Sequence, residues 1–164
     1  MDTTFPDYDD LPSVEGISEP CAWGLFSRNG EKDLYGCLHK VTPDIIREAT
    51  AEVKDGVSIS LNPHAIKVRE IEEIAREQGV TFKQGDVIII RTGYTDIVGA
   101  AEPEEQEAMI NTGMSAGVEG SIDAVKWFWN THCSAVASDS VGFEVLPATK
   151  DGVIGAGGSP DLEL

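Results

Sequence analysis

The sequence predicts an α/β fold. Apolar residues recur at helical spacing in three separate stretches. Short runs of alternating or β-branched residues lie between them, and the two patterns alternate along a single chain of 164 residues without an internal repeat. That length reads as one domain, able to bury roughly 70% of its unfolded surface. Hydrophobic residues at 41% and charged residues at 25% describe an ordinary globular composition, which excludes both a disordered chain and a membrane-embedded one.

Each element has its own warrant. Residues 1–20 are rich in Asp and Pro, show no period and read as an extended N-terminal arm. Asn29-Gly30 marks a turn. A helix is expected after Thr42-Pro43, since Thr caps well and Pro suits the first helical position; Ile45, Ala49 and Val53 form its stripe and Gly56 stops it. Residues 57–61 alternate, with Val57, Ile59 and Leu61 on one face, as a half-buried strand does.

A second helix is expected over 68–78, with Val68, Ile71, Ile74 and Ala75 inward, a Glu72–Arg76 pair along its surface and Gly79 as its stop. Lys67 is a poor cap for it. Val87-Ile88-Ile89-Ile90 has no polar alternation and predicts a central strand covered on both faces. Arg91-Thr92-Gly93 then falls where α/β sheets place their pockets. Pro103 opens a helix to about Ile110. Residues 121–131 form another, with Ile122, Val125, Phe128 and Trp129 inward and Trp127 on a second contact surface. Ala135–Ala137 is a short strand ending in Ser138-Asp139-Ser140. Residues 21–150 thus form a single α/β domain, and 151–164 a flexible Gly-rich tail.

Charge narrows the function. Twelve Lys and Arg against 29 Asp and Glu give a net charge of -17, which argues against binding to nucleic acid or to an anionic membrane. No apolar run approaches the ~20 residues of a spanning helix, and the first residues carry no targeting pattern, so a cytoplasmic location is expected. Cys21, Cys37 and Cys133 form no C-x-x-C pair and read as reduced thiols.

Motifs that carry chemistry are few. Gly113-Met114-Ser115-Ala116-Gly117 matches G-x-S-x-G, but helical residues precede it where a nucleophile elbow needs a strand. The glycines of 155–158 follow no convincing strand and lead into Ser159-Pro160, so a phosphate-cradling loop is not supported. His39, His64 and His132 lie far apart; His132 suits a helix end, where partial positive charge is favourable. Asp139 and Glu144 are conceivable ligands, although a capping or solvated carboxylate is the simpler reading. The catalytic residues are unknown, no metal ligand is assigned, and the candidate pocket residues are Arg91, Glu119 and Asp139.

Several blocks resemble the cyclase family that includes the metal-dependent kynurenine formamidases, in particular its fungal branch. They are CAWGLF (21–26), GVSISLN (56–62), HAIKVREIEEIAREQGVTFKQGDVIIIRTGYT (64–95) and AGVEGSIDAVKWFWNTHCSAVASDSVGFE (116–144). Their order and spacing carry the resemblance more than any one block does. It implies a β-barrel-like mixed-sheet core flanked by helices, and a divalent metal, zinc or manganese, that activates water against an amide or formamide carbonyl.

The chain departs from the family at one place above all. Leu61-Asn62 runs directly into Pro63-His64, and the family's H-x-G-T-H-x-D signature does not occur. The family's later histidine is missing as well. The fold implied is therefore incomplete, and no bound metal is expected for this chain. The first expectation is a truncated or degenerate member without metal-dependent amide hydrolase activity, a pseudoenzyme. One alternative is an active arylformamidase-type hydrolase or cyclase, in tryptophan catabolism or secondary metabolism. The other is a small-molecule binding or structural module. The partners expected are a small-molecule ligand and, to complete the fold, a second copy or a full-length relative.

Overall fold

The computed structural model describes residues 5–15, 17, 20–27, 29–41, 43–44, 63–150 and 153–154. The expected helix after Thr42-Pro43, apart from Pro43 and Asp44, and the expected strand 57–61 lie outside the described residues. The described elements run β1 (Ala65–Ile66), α1 (Val68–Gln78), β2 (Val87–Ile90), α2 (Tyr94–Ala100), α3 (Pro103–Asn111), β3 (Gly117–Val118), α4 (Ile122–Asn130), β4 (Ala135–Ser138), β5 (Thr149–Lys150) and β6 (Val153–Ile154). Short 3-10 helices cover Tyr8–Asp10 and Gly36–Lys40.

The strands pair in parallel across helical crossovers, as an alternating pattern requires. β2 pairs with β4 from Val87↔Ala135 to Ile90↔Ser138, and β1 pairs with β3 at Ala65↔Gly117 and Ile66↔Val118. β5 and β6 form an antiparallel hairpin, so two residues of the aperiodic C-terminal stretch are strand. The architecture is mixed α/β, a partial form of the expected fold, and no closed barrel forms among the described residues.

Helix α1 spans the residues its apolar period predicts. Gly79 ends it in the left-handed region (φ 67°), and its N–H donates to Ala75 and Arg76 carbonyls. The weak cap at Lys67 is offset three residues on, where the Glu70 carboxylate accepts the Lys67 N–H at 2.9 Å. Ile71 and Ala75 are buried and Val68 packs against the core, but Ile74 sits at the exposed margin. The expected Glu72–Arg76 pair is superseded: Glu72 accepts the Trp127 indole N–H at 2.9 Å, and the i,i+4 pair of this helix is Arg69–Glu73.

Helix α4 is capped by the Ser121 hydroxyl, which accepts the Ala124 N–H. Two of its faces are buried. Ala124 and Phe128 join Ile66, Ile71, Ile88 and Val118 in one cluster. Val125 and Trp129 join Tyr8 and Leu11 of the N-terminal arm in another, flanked by Ala22, Leu25, Phe26 and Cys37. Trp127 forms the second contact surface the sequence implies, meeting the Phe82 ring edge-on at 5.0 Å. Ile122 was expected inward, but it lies in the first turn, short of both clusters, and is exposed.

β2 corrects another expectation. Only Ile88 is buried; Val87 is 46% exposed and Ile89 69% exposed. A continuous β-branched run suits a pleated backbone whichever face is covered, so it could not specify both. Near β3 the constraint is steric: a Cβ on Gly117 would lie 2.3 Å from the carbonyl carbon of Glu144, whose segment crosses directly over it.

Phe128→Ala is expected to cost about 3–5 kcal/mol in urea denaturation, because the ring is fully buried between α1 and the strands. Ile89→Ala should change stability by less than about 1 kcal/mol. Gly117→Ala should cost about 3 kcal/mol or prevent folding, since the clash is with backbone.

Candidate functional site

The carboxyl ends of β2 and β4 lie side by side, and Asp139 follows β4 by one residue. Its Oδ1 accepts the Thr92 N–H at 2.6 Å and the Thr92 hydroxyl at 2.8 Å. Its Oδ2 accepts the Gly93 N–H at 2.9 Å and the Thr95 hydroxyl at 3.3 Å. One carboxylate therefore satisfies the backbone where β2 turns into α2, and ties that turn to β4. Burial pushes the Asp139 carboxyl up, but the hydrogen bonds from Thr92, Gly93 and Thr95 outweigh it and hold the group below its ordinary range.

The other two candidates take separate partners. Arg91 pairs through its guanidinium with Asp96 of α2, so it engages its own loop. Glu119, just past β3, faces the Lys67 ammonium at 3.8 Å, and its N–H donates to the Ile66 carbonyl. The structure thus sets Arg91 and Asp139 at adjacent strand ends and places Glu119 at the end of the other parallel pair.

A second polar group gathers at the start of α1. Glu70 accepts the Lys67 N–H and contacts His64 Nε2, both at 2.9 Å. Burial raises the Glu70 carboxyl; the Lys67 N–H and His64 lower it by more, and the net displacement is downward. Sequence reading missed this clasp. The signal was an S/T/D/N-type cap replaced by Lys67 with a glutamate three residues later. It likewise missed Thr92 as the partner of Asp139, although Thr92 stands directly after the β-branched run and is 1% exposed.

Ser115 resolves the G-x-S-x-G match. It follows α3 and enters an extended segment bridged to Leu146, so the order is helix then strand, the reverse of a nucleophile elbow. Its hydroxyl is fully buried and has no hydrogen-bond partner, so it cannot meet a substrate in this conformation.

An α/β protein with parallel strand ends latched by a half-buried carboxylate is the class these features define. The chain belongs to the Cyclase family, whose sequence model matches residues 39–145, well over half of its length. Among solved structures, the crystal structure of a novel cyclase is similar over 54% of this chain and 29% of its own, with 21% identity and a TM-score of 0.49. The chain accordingly spans less than a third of that protein. No curated protein matched.

The family resemblance implies a divalent metal, and the donor chemistry here can be tested for it. Among the described residues no three His, Cys, Asp or Glu side chains gather as a ligand set. Asp139 spends both oxygens on protein donors, and Glu70 is taken by Lys67 and His64. The described residues do not fit such an ion, and no step is derived through one.

Asp139→Asn should destabilise the fold by about 1–3 kcal/mol, because the amide –NH2 would face the Gly93 N–H or the Thr92 donors, leaving a donor opposite a donor. Asp139 lies below its ordinary value in the folded state. Its stabilisation is therefore complete above the unfolded value of about 3.9 and disappears as pH falls through the folded one. Denaturation of wild type and variant should show the gap between them closing below about pH 4.

Proposed function

We propose that this chain is a cyclase-family protein without metal-dependent amide hydrolase activity of its own, and so differs in chemistry from the kynurenine formamidase type it resembles. The observation that carries the reading is the commitment of Asp139. Its carboxylate accepts two backbone and two hydroxyl donors, so its lone pairs are directed into the protein. A metal ligand or general base needs at least one of them facing the reaction. The missing H-x-G-T-H-x-D signature supports the same reading, because it removes the imidazoles a metal would need. Arg91, Glu119 and Asp139 remain the residues around which a small molecule would be sought, with Arg91 as the cation for an anionic group.

The exposed Val87 and Ile89 favour a second part to the reading: the chain acts together with another copy of itself or with a full-length relative. Among the described residues no helix is long and apolar enough to cross a membrane.

The reading predicts that purified protein exchanged into zinc or manganese retains less than one ion per chain and does not hydrolyse N-formylkynurenine. Metal analysis and a hydrolysis assay on one preparation check both, and stoichiometric metal with turnover would overturn it. Sedimentation should show a species heavier than the monomer. A monodisperse monomer with a cooperative melt rejects the association.

A further inference from the structure

Between two firmly held ends, the chain makes an excursion in which nothing is buried. Thr92 and Gly93 are buried before it and Ser115 after it, yet no residue from Tyr94 to Met114 is. The near end is tied down by the Asp139 carboxylate, the far end by the paired backbone hydrogen bonds of Ser115 with Leu146. The excursion consists of α2 and α3, which lean on each other. Both are shorter than the ~12 residues at which a lone helix begins to hold in water, so local ties replace a core. Pro103 stands in the first turn of α3, the Glu105 carboxylate accepts the Glu102 N–H, and the Gln106 amide donates to the Ala101 carbonyl. At the entrance to α2, the Arg91 guanidinium pairs with Asp96.

The surface of this hairpin carries one sign of charge. Residues 94–114 include Asp96, Glu102, Glu104, Glu105 and Glu107, and neither Lys nor Arg. Two of these have local partners: Asp96 pairs with Arg91, and Glu105 closes the cap. The first-turn carboxylates also suit the helix dipole. Glu107 lies beyond that turn, and among the described residues neither it nor Glu104 enters an ion pair. One turn past Glu107 stands Ile110, 57% exposed, and Met114 follows the helix at 39% exposed. An apolar end and an acidic flank are thus presented together on a helix pair that no core covers.

We propose that the α2–α3 hairpin is a docking surface for a basic amphipathic helix of a partner protein. Its apolar side chains cover Ile110 and Met114, and its Lys or Arg side chains meet Glu104 and Glu107. Charge selects this occupant. A second copy of this chain brings the same net charge of -17 and the same acidic hairpin, so like charges would face each other. The surface also lies on different elements from Val87 and Ile89 of β2.

Isothermal titration of the full chain with a synthetic helix of Leu and Lys, about 18 residues long and amphipathic, tests this. At about 0.15 M salt it should bind one to one with a Kd on the order of 10 μM. Ile110→Ser and the pair Glu104→Gln/Glu107→Gln should each weaken binding about tenfold. The pair Glu15→Gln/Glu77→Gln removes as much charge from other exposed positions and should bind as wild type does. Amide protection in β2 should be the same in every variant, since none of these side chains is buried. Absence of binding overturns the proposal, as does equal weakening in the two charge-neutralised pairs, which would mark a diffuse attraction to an acidic protein. Sedimentation in which Ile110→Ser dissociates an oligomer would place a second copy on this face and overturn it too.

Discussion

Helix α4 has to be buried on two sides at once, and much of the described structure is arranged around that requirement. Ala124 and Phe128 lie four residues apart on one stripe, Val125 and Trp129 on the next. A single sheet or helix can cover only one of them. The strands and α1 take the first, and the segment from Phe5 to Leu11 takes the second. Each large side chain so covered contributes roughly 1.5–3 kcal/mol over its exposed state. The polar ties of the arm then fix its register, because Trp129 and Tyr8 cannot bury their N–H groups without acceptors.

The strand ends show how a carboxylate's neighbours decide what it can do. An aspartate after a parallel strand is well placed to face a ligand in α/β proteins. Here Thr92, Gly93 and Thr95 converge on Asp139 and use it as an internal anion at the turn into α2. The charge is stabilised by dipoles already in place, which makes it a strong structural tie and a poor proton acceptor. Glu70 at the opening of α1 follows the same logic with Lys67 and His64. Membership of the Cyclase family gives this chain a common ancestry with the other members of that family. Among the described residues, the carboxylates of Asp139 and Glu70 are committed to donors of the protein itself.

Local physics was legible where one segment decides its own conformation. The bounds of α1 follow from its period and from Gly79, and Pro103 opens α3 as a first-turn proline should. Ser121 caps α4, and the β-branched run from Val87 forms β2. In the candidate site, Asp139 and Arg91 were picked out by their position after strands, and both do stand at adjacent strand ends. What they bind was not legible, since Thr92 and Asp139 are 47 positions apart and only the parallel pairing of β2 with β4 brings them together.

The sequence alone determined the α/β class, the net acidity, helices α1, α3 and α4 and strands β2 and β4, because these depend on composition and short-range spacing; α2 and β3 were not foreseen. The tertiary structure alone decided that Ile74, Ile122 and Ile89 face outward, that Glu72 serves Trp127, and that Gly117 has no room for a side chain. It also decided that Asp139 is held by donors from another strand. The reason is physical: burial and hydrogen-bond partnership are properties of what packs across a segment, and a residue's own neighbours in the chain do not encode which distant surface arrives there.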